Sequence, residues 1–188
     1  MRNVLVTILS RDHPGIIYQV SRILADCRLN IIEASQTTLL GEFAGLFSCS
    51  LPEGTSLDDV SQTMERELAG SGLVHVVREI TADDSPLVSP ATHEPYVVTV
   101  RGRDRCGVIP EFAGVLSGFD INIDTLRAVS LTGHEDQAEK KVVMFFELSV
   151  PKSVNQSALR QALGLAADGL DMEMSLQHRD IFEAIHRL

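Results

Sequence analysis

An internal repeat constrains this chain more than any other feature of its sequence. Residues 4–34 align with residues 96–126 at a constant offset of 92, and nine of the 31 aligned positions are identical. Unrelated segments would share about two positions over that length, so we interpret the alignment as a duplication. The identical pairs are Val6/Val98, Thr7/Thr99, Arg11/Arg103, Asp12/Asp104, Gly15/Gly107, Ile17/Ile109, Leu24/Leu116, Asn30/Asn122 and Ile31/Ile123.

The duplication predicts two domains joined by a linker. Residues 82–95 contain three Pro, two Ser, one Thr and three acidic residues, a composition typical of an extended, solvated connection. We predict a first domain at 1–81 (copy one), a linker at 82–94, and a second domain at 95–188 (copy two) with a short C-terminal extension. Copy two is longer by seven residues, which we place in the acidic segment 133–139. Domains this small bury only about 60–65% of their unfolded surface, so we expect them to pack on each other or on a second chain.

Each copy has the hydrophobic pattern of strand, helix, strand, strand, helix and strand. In copy one, residues 4–9 form an apolar, β-branched run, and apolar residues then recur at helical spacing from Ile16 to Cys27. Apolar runs on both sides of Leu40-Gly41 predict a hairpin, and Ser56 begins a capping box before the second helix. The predicted fold class is α+β, with two ferredoxin-like βαββαβ domains whose antiparallel sheets carry their helices on one face.

Composition disfavours several classes of function. Twenty-six acidic against sixteen basic residues give a net charge of −10, which disfavours direct binding to nucleic acid. No apolar run approaches the roughly 20 residues that span a bilayer, and no secretory signal precedes the first strand, so we expect no membrane contact and a cytoplasmic location. The three cysteines form no CxxC pair, which disfavours a disulfide framework or a structural zinc.

No familiar catalytic or metal-binding pattern occurs in the sequence. The six histidines lack metal-ligand spacing with each other and with the cysteines, and there is no nucleophile elbow, Walker loop or dinucleotide fingerprint. We therefore predict no catalytic residues, no metal, no cofactor beyond a small effector, and a protein that is not an enzyme.

The turn between the first strand and the first helix is the one polar constellation that recurs. Asp12 and Gly15 correspond to Asp104 and Gly107, and an Asn follows each Gly by fifteen residues. A glycine at a helix start lets an anion approach backbone N–H groups at the positive end of the helix dipole. Fifteen residues cover the helix and its return, so we expect Asn30 to lie near that turn. Asp and Asn oxygens could then hold an ammonium group while the helix holds a carboxylate.

Structural explanations for these residues remain open. Asp12 and Asp104 are favourable N-caps, and an Asn before a strand is a common turn former. Gly15 and Gly107 could serve close packing of the helix start against the sheet. A surface position is at least as reasonable for His13 as a ligand contact.

The segments Asp12-His13-Pro14-Gly15-Ile16 and Leu29-Asn30-Ile31 resemble the ACT domain, a ferredoxin-like regulatory module that commonly binds amino acids. The resemblance covers the whole chain as two copies, a layout similar to that of the glycine cleavage system transcriptional repressor family. Copy two departs from the pattern, with Gly102 in place of Ser10 and Cys106 in place of Pro14. The resemblance implies ligand contacts at Ser10, Asp12, His13, Pro14, Gly15, Ile16, Asn30 and Ile31, and at Gly102, Asp104, Arg105, Gly107, Val108, Asn122 and Ile123.

The resemblance also implies a function. The protein would be an amino-acid-sensing regulatory protein with glycine or a similar small amino acid as its effector. It would regulate transcription through contact with a transcription activator rather than with DNA, and its ACT domains would pair within the chain or in a homodimer. The alternative is a non-catalytic accessory protein that regulates a metabolic enzyme without binding a metabolite.

Overall fold

The computed structural model describes residues 2–81, 89, 91–131 and 140–186, and the chain divides into two compact units, Met1–Ser85 and Pro86–Leu188. Most of the predicted linker and the whole predicted insertion at 133–139 lie outside the described residues. Unit one contains β1 (Arg2–Arg11), α1 (Ile16–Asp26), β2 (Asn30–Leu39), β3 (Glu42–Leu51), α2 (Leu57–Leu68) and β4 (Val74–Ile80). Unit two contains β5 (His93–Arg103), α3 (Val108–Gly118), β6 (Asn122–Leu131), β7 (Lys141–Pro151), α4 (Gln156–Gly169), β8 (Glu173–His178) and α5 (Arg179–His186).

Each unit folds around one four-stranded antiparallel sheet, with strand order β2-β3-β1-β4 in unit one and β6-β7-β5-β8 in unit two. Alternate residues of the central strands face the helices. In β1, Val4, Val6 and Ile8 are fully buried and share one apolar cluster with residues from both α1 and α2. Val98 and Val100 of β5 cluster with α3 and α4 in the same way. Both helices of a unit therefore lie on one face of its sheet, and the predicted fold class is confirmed.

Local signals account for the ends of several elements. The Asp59 N–H donates to the Ser56 Oγ at 3.2 Å, which confirms the predicted cap of α2. The β2–β3 hairpin turns at Leu40 and Gly41, with φ angles of 52° and 80°. Two main-chain N–H groups donate to the Asn155 Oδ1 at 3.0 Å, so Asn155 caps α4.

The sheet face that points away from the helices, here called the open face, is covered differently in the two units. In unit two, α5 packs against β5 and β8, and the Phe182 ring meets the Phe145 ring edge-on with centroids 6.1 Å apart. The C-terminal segment therefore covers part of its own sheet. In unit one the open face carries apolar residues that are 45–62% exposed, namely Leu9, Leu46, Val74 and Val76.

Candidate functional site

Both repeated turns place a glycine at the start of a helix. Gly15 and Gly107 are the N-caps of α1 and α3, with φ angles of 102° and 97° in the left-handed region. No side chain caps either helix, so Asp12 and Asp104 are not the N-caps that their residue type allowed. Each Asp lies three residues before the N-cap, outside the position from which a side chain reaches the first helical N–H groups.

Backbone conformation, rather than packing, requires these glycines. A Cβ atom built on Gly15 or Gly107 would have no atom within 4 Å. The explanation that the glycines allow close packing against the sheet is therefore wrong. A left-handed backbone costs other residues about 1 kcal/mol or more, and only glycine adopts it freely. The space beside each helix start is open, so a ligand could approach the main chain there.

The two helix starts offer different sets of donors. The first N–H groups of a helix have no partner within it. In copy one the third helical residue is Tyr18, whereas its equivalent in copy two is Pro110, which has no N–H to donate. The side chains of Ile16 and Val108 are buried in the two cores, so these predicted contacts can involve only their backbone groups.

Each turn is anchored through the backbone of its aspartate. The Asp12 N–H donates to the Gly41 carbonyl of the β2–β3 hairpin, and the Asp104 N–H donates to the Lys140 carbonyl, both at 2.8 Å. Both aspartate side chains are exposed. The carboxylates therefore project from a fixed main chain and can accept hydrogen bonds from a ligand.

The predicted ligand residues that follow each aspartate, His13 and Arg105, already contact carbonyl groups of their own unit. The His13 Nδ1 lies 3.0 Å from the Pro14 carbonyl oxygen. Its equivalent, Arg105, donates from Nη2 to the carbonyl of Leu170, the C-cap of α4, where a cation is favoured by the negative end of the helix dipole.

The departure of copy two from Ser10 has a packing cause. The buried Ser10 donates its hydroxyl to the Arg11 carbonyl at 3.0 Å. At the equivalent Gly102, a Cβ atom would lie 3.0 Å from the side chain of Met172, which fills the space. A serine would therefore require the Met172 side chain to shift by a few tenths of an ångström.

A cavity of about 370 Å³ opens at the turn of copy two. Asp104, Cys106 and Gly107 line it, and Ala128 and Ser130 of β6 form part of its wall. The sequence did not single out these two β6 residues. Their alternation with Val129 could have placed them on one face, but the strand register that brings them to the turn follows only from the structure.

The expectation that each asparagine lies near the turn of its own copy is wrong. Asn30 begins β2 and pairs with Ser50, which pairs with Asn3, whereas the turn follows Arg11 at the other end of β1. The eight residues from Asn3 to Arg11 span about 27 Å at 3.4 Å per residue. The physical reason is that α1 runs antiparallel to β1, from the turn to the opposite end of the sheet. The fifteen residues after Gly15 are used up by this helix, so Asn30 lies at the far end, where β2 begins. Asn122 pairs with Ser149 in the same position of unit two.

The two asparagines also have different surroundings. The Asn122 Nδ2 donates to the Asp124 Oδ1 at 3.0 Å, and the Ser149 hydroxyl donates to the Asp124 Oδ2 at 2.6 Å. Asn30 is exposed, and its side chain makes no hydrogen bond within the described part of the chain. Of the adjacent predicted residues, Ile31 is exposed, whereas Ile123 is partly buried against the core.

The described residues contain neither a candidate metal site nor a candidate membrane-spanning helix. In residues 2–81, 89, 91–131 and 140–186, no three or more His, Cys, Asp or Glu side chains are grouped so that they could hold a metal ion. None of the helices in these ranges is long and apolar enough to cross a membrane.

Known proteins similar to this chain include UPF0237 proteins and a phosphoserine phosphatase. No family model matches the chain. A UPF0237 protein of Listeria monocytogenes is 36% identical over 84 residues, which cover 42% of this chain and 90% of that protein. The match has about the length of one repeat. The phosphoserine phosphatase of Mycobacterium tuberculosis is 29% identical over 135 residues, which cover 68% of this chain and 31% of that enzyme.

Two solved structures match this chain over both repeats. An unknown protein from Galdieria sulphuraria has a TM-score of 0.78 at 20% identity, covering 94% of this chain and 98% of that one. A provisionally assigned glycine cleavage system transcriptional repressor has a TM-score of 0.67 at 19% identity, covering 94% and 96%. At these identities the likeness concerns the fold, and it confirms the tandem ferredoxin-like domains that the ACT resemblance implied.

Proposed function

The chain belongs to the UPF0237 family, and we propose that it is an amino-acid-sensing regulatory protein that acts through contact with another protein. The observation that carries the proposal is the repeated turn. In both copies a left-handed glycine begins a helix that no side chain caps, beside an aspartate whose carboxylate is exposed. The cavity at the turn of copy two provides space for a ligand at this position.

The chemistry of the turn suits a small zwitterion. The carboxylate would accept hydrogen bonds from the first helical N–H groups, at the positive end of the helix dipole. The ammonium group would donate to Asp12 or Asp104, which would repel a carboxylate in that place. This charge pattern fixes the orientation of the ligand. The open space beside Gly15 and Gly107 lets such a ligand approach the main chain, and we propose glycine or another small amino acid as that ligand.

A single ligand cannot reach the turn and the asparagine of one copy, because these lie at opposite ends of the sheet. The edge strand β2 has ten exposed residues and can pair with the edge strand of another unit of the same fold. Antiparallel pairing of two such edges reverses the second strand and brings its asparagine to the end of the sheet where the first turn lies. We propose that Asn30 completes a ligand site in this way, with a second copy of the chain as one source of the partner unit.

Regulation would follow if the ligand stabilises one paired arrangement. A ligand shifts a conformational equilibrium only when it binds the two states with different affinity. Contacts from two units to one ligand provide such a difference, because the unpaired state lacks half of them. The protein partner is proposed to be a transcription activator, since one structural neighbour is provisionally assigned as a glycine cleavage system transcriptional repressor. Net charge of −10 supports regulation through protein contact rather than through DNA.

Titration calorimetry with a panel of amino acids tests the ligand. We expect heat with glycine or another small amino acid, and a loss of at least tenfold in affinity in Gly15→Val and in Asn30→Ala. The matched control is Gly54→Ala, which introduces a side chain at another left-handed glycine with open surroundings, beyond the opposite end of the sheet. Absence of heat across the panel, or equal losses in the control, would contradict the proposal.

Thiol labelling distinguishes the two turns. Cys106 is exposed and lines the cavity at the turn of copy two, whereas burial raises the pKa of the Cys49 thiol in the core of unit one. We expect an amino acid that binds at the second turn to slow labelling of Cys106, measured by peptide mapping. Unchanged labelling at a saturating concentration would place the ligand in copy one alone.

The second candidate is an accessory protein that regulates a metabolic enzyme and binds no metabolite. It is favoured by the match of 68% of this chain to about a third of a phosphoserine phosphatase, since a similar segment there is joined to an enzyme. Co-purification with a metabolic enzyme, together with a melting temperature that amino acids do not change, would support this candidate over the first.

A further inference from the structure

A cavity of about 570 Å³ lies on the open face of unit two, away from the turns. The sheet forms its floor and Phe182 of α5 forms one wall. Its volume falls within the 300–1,000 Å³ that small-molecule sites occupy. Helices α3 and α4 and the turn of copy two belong to the opposite face of the sheet, so this cavity is separate from the proposed amino-acid site.

The lining divides into an apolar half and a polar half. The β6 and β7 strands contribute Val129, Leu131, Val143 and Phe145, and the Phe182 ring packs edge-on against Phe145 on this apolar side. The β5 and β8 strands contribute the polar residues. A ligand that lies across the strands would therefore meet apolar carbon at one end and hydrogen-bond donors at the other.

The polar half is a short array of donors around Arg101. Thr99 and Ser175 are direct cross-strand partners, and Arg101 lies two residues from Thr99 on the same face, about 7 Å along the strand. In the described part of the chain, the Arg101 guanidinium has no ion pair or hydrogen bond. A planar guanidinium with hydroxyl groups beside it is well suited to bind a carboxylate.

The charge around Arg101 limits the ligand to a single negative charge. Glu173 is the cross-strand partner of Arg101 on β8, although no ion pair joins the two side chains. Glu173 offsets part of the positive charge of Arg101 and repels a dianion such as a phosphate monoester more strongly than a monoanion, so the pair favours a monoanion. We propose that this cavity binds an apolar monocarboxylate, with its carboxylate at Arg101 and its carbon chain or ring packed against the Phe145–Phe182 pair.

Copy one lacks this site. The residues equivalent to Arg101, Phe145 and Ser175 are Leu9, Leu46 and Val76, so these three positions are aliphatic in copy one, where Thr7 corresponds to Thr99 and Arg78 to Gln177. The duplication therefore supplies a control within the same chain, because copy one has Leu9 in place of the Arg101 cation.

Methyl NMR with 4-phenylbutyrate and its neutral analogue 4-phenylbutanol tests the proposal in the full-length protein. We expect the acid to shift the methyl signals of Val129, Leu131 and Val143, with Arg101→Gln weakening its binding about tenfold or more. The same substitution should leave the weaker binding of the alcohol within about twofold. Phe182→Leu should weaken both compounds, because it removes the aromatic wall but not the charge.

Leu9→Gln is the matched control, since it changes the equivalent position of copy one, and it should leave binding of the acid unchanged. The proposal is overturned if the acid does not shift the three methyl signals at 10 mM, a roughly chosen upper limit for a weak small-molecule site. It is also overturned if the acid and the alcohol respond equally to Arg101→Gln. Neither result affects the amino-acid site, because that site is tested by glycine binding and by substitutions at the turn.

Discussion

The turns of copy one and copy two share a backbone but differ in what surrounds it. Both have a left-handed glycine N-cap and an aspartate N–H anchored at 2.8 Å to a neighbouring carbonyl. In copy two, Arg105 is bound to the end of α4 and Asn122 to Asp124. Within the described part of the chain, the equivalent His13 contacts only the carbonyl of the adjacent Pro14, and the Asn30 side chain makes no hydrogen bond. The two copies thus share their backbone geometry, but in copy two the polar side chains Arg105 and Asn122 form hydrogen bonds within their own unit.

This difference predicts unequal sites. A side chain that already has a partner must give up that hydrogen bond before it can meet a ligand, which cancels most of the gain. Copy one also keeps an N–H at Tyr18, where copy two has Pro110. We therefore expect the turn of copy one to bind an amino acid more tightly than that of copy two.

The hydrophobic cores of the two units also differ, and substitutions in these cores should have the largest predicted effect on the free energy of unfolding. Phe112 packs against Phe146 with ring centroids 6.0 Å apart, whereas copy one has Val20 at the position equivalent to Phe112. Both residues are fully buried. Phe112→Ala should lower the free energy of unfolding by about 3–5 kcal/mol, and Val20→Ala by about 1–3 kcal/mol, because the smaller side chain leaves a smaller cavity.

Urea unfolding followed by circular dichroism measures both losses. Phe112→Leu, which refills most of the cavity, should recover much of the difference. Equal losses for the two alanine variants would mean that the ring pair adds nothing to unit two, and that the two cores are equivalent despite their sequences.

The second prediction concerns what the two turns share. Gly15→Ala and Gly107→Ala should each destabilise the protein by about 1–2 kcal/mol, because both place a side chain on a left-handed backbone. Gly114→Ala is the control of opposite sign: Gly114 lies inside α3 with open space around its Cβ position, so alanine should stabilise by about 0.5–1 kcal/mol. A marked difference between the two turn variants in urea unfolding would show that their backbones are not equivalent.

Much of the fold could be predicted because its strands and helices depend on residues that are close in sequence. The buried alternation of Val4, Val6 and Ile8, and the cap at Ser56, depend on neighbours in sequence, and the duplication let each copy support the other. The direction of α1 was the missing step. Helix length predicts how far the chain travels but not that Asn30 arrives at the far end of the sheet, which depends on the register with β3.

Parts of the candidate site depend on residues that are distant in sequence. Arg105 and Leu170 are 65 positions apart, and no local pattern predicts their hydrogen bond. The contact of Phe182 with Phe145 is similar, because it depends on the direction in which α5 leaves β8. The sequence pattern therefore identified the turn itself but not which of its side chains were already engaged.

The third prediction sharpens the contrast between the asparagines. Ser149→Ala removes the 2.6 Å hydrogen bond to Asp124 and should destabilise unit two by about 0.5–1.5 kcal/mol. Ser50 is the equivalent residue of copy one, where Ile32 stands at the position of Asp124. Ser50→Ala should therefore change the free energy of unfolding by no more than about 0.5 kcal/mol. Similar effects of the two substitutions in urea unfolding would argue against a structural role for the Asp124 network.

The smallest predicted effect is a pH dependence confined to copy one. The Arg2 guanidinium donates two hydrogen bonds of 2.6 Å to Glu79 and holds the pKa of that carboxyl below its ordinary value of 4.5. The equivalent residues in copy two are Glu94 and His178, which would need a protonated imidazole to attract each other. A lowered folded-state pKa means that the pair stabilises the fold above pH 4.5 and that this contribution is lost as the pH falls through the folded-state pKa.

Glu79→Gln should therefore lower the urea midpoint slightly at pH 7 and converge with the wild type in acid, and Arg2→Gln should behave alike. Because both side chains are on the surface, the difference should also shrink in high salt. A difference that persists unchanged in acid would assign the effect of Glu79→Gln to packing rather than to its charge.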